Sequence, residues 1–145
     1  MFTFREEDFQ KIEKALDGTF KVEGQCRRMV LDNPKEKRRL SLEIYPDIPI
    51  GKKRGNLISV YTIASHLQLH FCSAYVTSEM LGEVTFISQA DGKISGLIVE
   101  KGAGCSLFAN VDPSLLSGDF TKFAPEVMLS GIALSLAEGI LPLKK

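Results

Sequence analysis

The chain reads as an α+β domain. We expect an antiparallel meander of about seven strands, strongly bent or closed into a small barrel, with an N-terminal helix and a buried apolar C-terminal helix. Three observations carry this expectation. Apolar residues recur at period two through most of residues 19–109. Two tight hairpins follow one another in EVTFISQADGKISGLIVEKGAGCSLFAN, from Glu83 to Asn110. Helical apolar spacing appears only near the two ends.

At the N-terminus, Thr3-x-x-Glu6 has the form of a capping box, and Phe9, Ile12 and Leu16 follow on one face. Gly18 is placed to stop this helix in the left-handed region. From Thr19 to Leu31, Phe20, Val22, Gly24 and Cys26 alternate with polar residues, and the slip at Arg27-Arg28 suggests a bulge. Asn33-Pro34-Lys35-Glu36 is turn chemistry. Leu40, Leu42 and Ile44 then alternate as a half-buried strand. Tyr45–Gly55 holds two prolines and two glycines and is expected to be the longest loop. Leu57–Ala64, apolar on both faces, reads as a central strand, and Leu67–Thr77 as the next.

Asp91-Gly92 between apolar runs predicts a two-residue turn. Counting outward pairs Ala90 with Lys93, Ser88 with Ser95, Ile87 with Gly96, Phe86 with Leu97, Thr85 with Ile98 and Val84 with Val99. A second turn at Gly102-Ala103 sets Phe108 opposite Leu97, Leu107 opposite Ile98 and Ala109 opposite Gly96. One face then carries a Phe86–Leu97–Phe108 core row. The other carries Ile87, Gly96 and Ala109, a notch fit to seat a helix or a ligand. After Asn110 the sheet is expected to stop, with turns at Asp112-Pro113 and Ser117-Gly118-Asp119. Pro125 opens, and Gly139 with Pro142 closes, a helix apolar nearly all round. Its Gly131 is placed to approach the Gly96 row.

Length and composition bound the rest. The chain of 145 residues fits a single domain, 1–145, large enough to build a core without disulfides or metals. No apolar run is long enough for a membrane span, and the acidic start lacks a signal-peptide core. Cys26, Cys72 and Cys105 form no CxxC, so reduced thiols in the cytoplasm are the expected setting. Charge is divided. Residues 19–55 carry ten Lys/Arg against five acids, and residues 56–143 three against eight.

No arrangement announces catalysis. His66 and His70 on a strand stand roughly 13 Å apart, too far for one ion at about 2.0–2.3 Å from each ligand. No metal or cofactor is therefore expected. Gly102-Ala103-Gly104 and the glycines of 92–96 punctuate hairpins rather than open a helix after a strand, which excludes a dinucleotide cradle. No serine lies in GxSxG, and Asp112 and Asp119 sit where turns expect aspartate. An enzyme is not the favoured class.

The strongest partner signal is basic: Arg27, Arg28, Lys35, Lys37, Arg38, Arg39, Lys52, Lys53 and Arg54. The expected function is a non-catalytic interaction or assembly domain that binds itself as a homodimer or binds an acidic protein partner. The first alternative is a carrier of an apolar molecule between sheet and C-terminal helix, seated at Ile87, Gly96, Ala109 and Gly131. The second is nucleic-acid binding through the basic loops, where Tyr45 is the sole aromatic for the stacking such binding favours.

Overall fold

The structure, a computed structural model, describes residues 2–90, 92–109 and 116–118, the last as backbone alone. Helix α1 (Glu6–Leu16) leads into β1 (Lys21–Glu23) and β2 (Cys26–Asn33). A short 3-10 turn, Pro34–Glu36, precedes β3 (Arg38–Ile50) and β4 (Lys53–Thr62). Then come β5 (His66–His70), β6 (Ala74–Ser78), β7 (Glu83–Ala90), β8 (Lys93–Glu100), β9 (Cys105–Ala109) and β10 (Leu116–Gly118). These strands form two open antiparallel sheets rather than one meander. One has the order β1-β2-β3-β4-β5-β10, the other β6-β7-β8-β9.

The core lies between the inner faces. On the larger sheet the pairs Met29↔Leu42↔Val60↔Leu67 and Ile44↔Ile58↔Leu69 make buried rows. They share one cluster with Val84, Phe86, Leu97, Val99 and Leu107 of the smaller sheet and with Phe9, Ile12 and Leu16 of α1. Fully burying each such aliphatic or aromatic side chain stabilises by about 1.5–3 kcal/mol before entropy is set against it.

Helix α1 forms as expected, with two shifts. The N-cap is Arg5 rather than Thr3: its backbone N–H donates to Asp8 Oδ2 at 2.8 Å, and the Asp8 N–H donates to the Arg5 carbonyl at 2.9 Å, so no side chain of the N-cap residue takes part. The left-handed stop is Asp17, at φ 54, not Gly18. Gly18 serves packing instead. A Cβ there would meet Met29 Sδ at 2.6 Å.

Four further expectations are corrected. Residues 19–31 are a hairpin turning at Gly24-Gln25, with Glu23 paired to Cys26, not one strand with a bulge. Tyr45–Gly55 is not a loop. β3 runs on through Pro46 and Pro49, interrupted by an irregularity between Tyr45 and Ile48, then turns at Gly51-Lys52 into β4. Beyond Ile44, β3 has no β2 partner, and proline is tolerated where a strand has a neighbour on one side only. Leu67–Thr77 is two strands in different sheets. Phe71 at φ 59 breaks it, and Cys72 turns into the core. Finally, Ser117 and Gly118 lie in β10, paired to Gln68 and Leu67, where a turn was expected.

In the hairpin pair, β7–β8 has the expected register from Ala90↔Lys93 to Val84↔Val99. The β8–β9 register is one residue away from expectation: Leu97 faces Leu107, Gly96 faces Phe108 and Ser95 faces Ala109. The cause is Ala103, whose φ of 65 makes a three-residue loop closed by Glu100 N–H to the Gly104 carbonyl at 2.8 Å. A slip of one residue exchanges faces. Leu107 and Ala109 therefore join the main core, and Phe108 lies over Gly96 with Ile98 and Ile94 beside it. The C-terminal helix expected after Pro125, Gly131 and the turn aspartates Asp112 and Asp119 lie outside the described residues.

Candidate interaction site

The basic residues divide by what they touch. Arg27 is a structural residue. Its guanidinium holds Glu6 at 2.6 Å and lies 4.4 Å above the Phe9 ring, fastening α1 to β2. That ion pair holds the Glu6 carboxyl below its ordinary range. Arg28 donates to Ser41 Oγ at 2.8 Å and pairs with Glu23 at 3.6 Å and Glu43 at 4.0 Å, across neighbouring strands. Arg54 pairs with Asp47 at 3.2 Å over the β3 irregularity. Among the described residues, Lys35, Lys37, Arg38, Arg39, Lys52 and Lys53 form no ion pair.

Lys37, Arg38 and Arg39 converge on a cleft of about 400 Å³ between the two sheets. Local chemistry builds it. Asn33 Oδ1 accepts the Glu36 N–H at 3.4 Å, closing the turn that leaves Lys37 left-handed at φ 55. The same Asn33 donates through Nδ2 to the Gly102 carbonyl at 3.1 Å, latching the β2–β3 turn to the β8–β9 loop. Thr62 and the exposed Ile63 form one wall; Ala103, Gly104 and Cys105 form the other. Glu100 is the one carboxylate lining the cleft. A Cβ on Gly104 would lie 3.1 Å from Glu100 Oε2 and 3.3 Å from Arg38 Nη1, so the carboxylate and the guanidinium both close over this glycine. The cleft is a solvent-facing cationic surface with a small apolar margin, suited to carboxylate or phosphate groups.

The remaining basic residues stand elsewhere. Lys35 is exposed on the 3-10 turn, and Lys52 and Lys53 are exposed at the far end of the β3–β4 hairpin. At about 3.3 Å per residue, the strand of 13 residues between Arg38 and Ile50 holds the two basic ends apart. Lys37–Arg39 and Lys52-Lys53 are thus separate groups, with Lys35 apart from the cleft. Of the seat residues, Ile87 and Gly96 pair across β7–β8, whereas Ala109 lies on the opposite face and Phe108 occupies the space above Gly96.

A second polar arrangement covers the outer face of the larger sheet, and no motif or spacing announces it. Ser59 Oγ lies 2.8 Å from His66 Nε2, and His66 stacks on Tyr61 with ring centroids 4.1 Å apart. Tyr61 and His66 are direct cross-strand partners, and Ser59 is the diagonal neighbour. Ser59 is 1 % exposed, which leaves a substrate carbonyl no approach to its hydroxyl. His70 Nε2 lies 3.4 Å from Gln68 Oε1, whereas Cys72 faces the core, where its Sγ donates to the Ala74 carbonyl. Among the described residues no three His, Cys, Asp or Glu side chains gather as metal ligands.

The thiols have one electrostatic character. Burial pushes the Cys72 thiol up to about 12, and burial raises Cys26 and Cys105 too, helped by Glu43 and Glu100 respectively. Each keeps its proton at neutral pH, and a protonated thiol is a poor nucleophile. No helix among the described residues is long and apolar enough to cross a membrane. Comparison with family models, with curated proteins and with solved structures finds no match.

Proposed function

We propose that the chain is a non-catalytic interaction domain of the cytoplasm that docks an acidic polypeptide partner in the cleft of Lys37, Arg38 and Arg39. One observation carries the reading. The fold binds Arg27, Arg28 and Arg54 into internal ion pairs, yet leaves these three cations exposed together on one cleft, with no ion pair among the described residues. Exposed like charges repel, so grouping them costs stability, and an anionic partner removes that cost. Ile63, 85 % exposed at the margin, adds apolar contact area for a side chain flanking the acid.

The test is fluorescence anisotropy with a labelled glutamate-rich peptide at low ionic strength. Wild type binds, and raising salt weakens binding because the contacts are solvent-exposed. Three exposed charge contacts at about 0.5 kcal/mol each make K37A/R38A/R39A roughly tenfold weaker. K35A, whose lysine lies outside the cleft, binds as wild type. Equal binding by the triple variant refutes the reading. If the acidic partner is a second copy, light scattering shows a dimer that the triple variant loses.

A further inference from the structure

Two groups of exposed cations, Lys37–Arg39 and Lys52-Lys53, form no ion pair among the described residues, and the sheet fixes their relation. Lys53, Leu57, Ser59 and Tyr61 alternate on one face of β4. The pairs Ser41↔Tyr61 and Glu43↔Ser59 put Ser41 and Glu43 on that face, and with them Arg39, two residues before Ser41. Leu42, Ile44, Ile58 and Val60 take the opposite, buried face. Lys53 and Arg39 therefore mark the two ends of one outer face. Ten residues of β4 run from Lys53 to Thr62, the partner of Leu40. At about 3.3 Å per residue the two groups stand roughly 30 Å apart.

Both ends are pinned. The hairpin base is held by Asn56, 1 % exposed, whose Nδ2 donates to the Phe2 carbonyl at 2.8 Å and the Cys72 carbonyl at 2.9 Å. Its Oδ1 accepts the Asp47 N–H at 3.1 Å. Phe71 packs over Gly55 from the other side. The far end is held by the Asn33–Gly102 latch. The fold thus invests buried polar groups in an exposed hairpin whose tip is Gly51, Lys52 and Lys53. Rigid spacing is the condition under which two weak contacts act as one strong one, because the second forms at high effective concentration.

We infer that the partner is an extended acidic segment bound bivalently, with its ends at Lys37–Arg39 and at Lys52-Lys53. The inference rests on the reading that the cleft takes an acidic polypeptide. An extended chain advancing about 3.4 Å per residue needs about ten residues to reach both groups. Shorter segments reach one.

The test is a length series of labelled glutamate-rich peptides of about six, twelve and eighteen residues, measured against the whole chain at low ionic strength. Wild type should bind the two longer peptides at least about tenfold tighter than the shortest. K52A/K53A, altered only at the exposed tip, should lose most of that gain and keep wild-type affinity for the shortest. R38A/R39A should weaken the shortest. If no peptide binds, the acidic-partner reading itself fails. If peptides bind but K52A/K53A keeps the full gain with length, the bivalent contact is refuted while the cleft stands. If duplex DNA of about 20 base pairs displaces the longest peptide and binds more tightly, with a steep salt slope, the polypeptide assignment is overturned in favour of nucleic acid.

Discussion

Gly96 is the position where one added methyl should be felt most. A Cβ built there lies 2.3 Å from Phe108 Cζ and 2.4 Å from Cε1. Carbon pairs are most favourable at about 3.5–4.0 Å, so the ring must move by more than an ångström. Phe108 is 1 % exposed, with Ile98 at 6 % beside it, so the ring has little room to go. Overpacking of this kind costs about 1–3 kcal/mol. Replacing glycine by alanine also restricts the unfolded chain, which returns about 0.4–1 kcal/mol. Gly96→Ala should therefore lose about 1–2 kcal/mol, and Gly96→Val more. In urea, with a slope of about 2 kcal/mol per molar, the midpoint falls by about 0.5–1 M at unchanged slope. Phe108→Leu shortens the obstructing ring, so in that background Gly96→Ala should cost at least about 1 kcal/mol less. A neutral Gly96→Ala, or an equal cost in both backgrounds, refutes the claim that Phe108 fills the notch.

Three further outcomes follow from buried polar groups. Asn56→Ala removes three hydrogen bonds and strands the Phe2 and Cys72 carbonyls; chemical denaturation should show a loss of about 2–4 kcal/mol. Ser95 is fully buried and its hydroxyl has no hydrogen-bond partner among the described residues, so Ser95→Ala should raise stability by about 1 kcal/mol on the same measurement. Cys72 titrates near 12 in the fold against 9.0 ordinarily. Above pH 9 the unfolded chain releases a proton the folded chain still holds, so this contribution is intact below pH 9 and fades as pH climbs toward 12. Cys72→Ala should flatten the alkaline limb of a stability–pH curve; an identical limb in both proteins counts against it.

Local rules read the β7–β8 hairpin correctly because its turn sits between two apolar runs in phase with one another. They misplaced β9 by one residue because the left-handed position is Ala103, a residue type that carries no turn signal, rather than either flanking glycine. That slip moved the notch. Pro46 and Pro49 read as a loop for a sound reason, but β2 pairing had already ended at Ile44, and only the paired structure shows that the edge was open there. Phe71, whose left-handed backbone sends the chain from one sheet to the other, likewise carries no sequence mark. The basic residues were visible as a composition. Their sorting was not, because Arg27 finds Glu6 and Phe9 across a helix–strand contact, and Arg28 finds Glu43 across a strand pair. The cleft depends on Asn33 and Gly102, which meet only in the fold.

An acidic partner seated on Lys37, Arg38 and Arg39 must perturb the backbone around them. Backbone amide chemical-shift mapping reads this, with isotope-labelled protein titrated with the glutamate-rich peptide of about six residues. Shifts are expected at Lys37–Arg39, at Thr62 and Ile63, and at Ala103–Cys105, the residues that border the cleft. Shifts confined to other surfaces, with these amides unmoved at saturation, would contradict it.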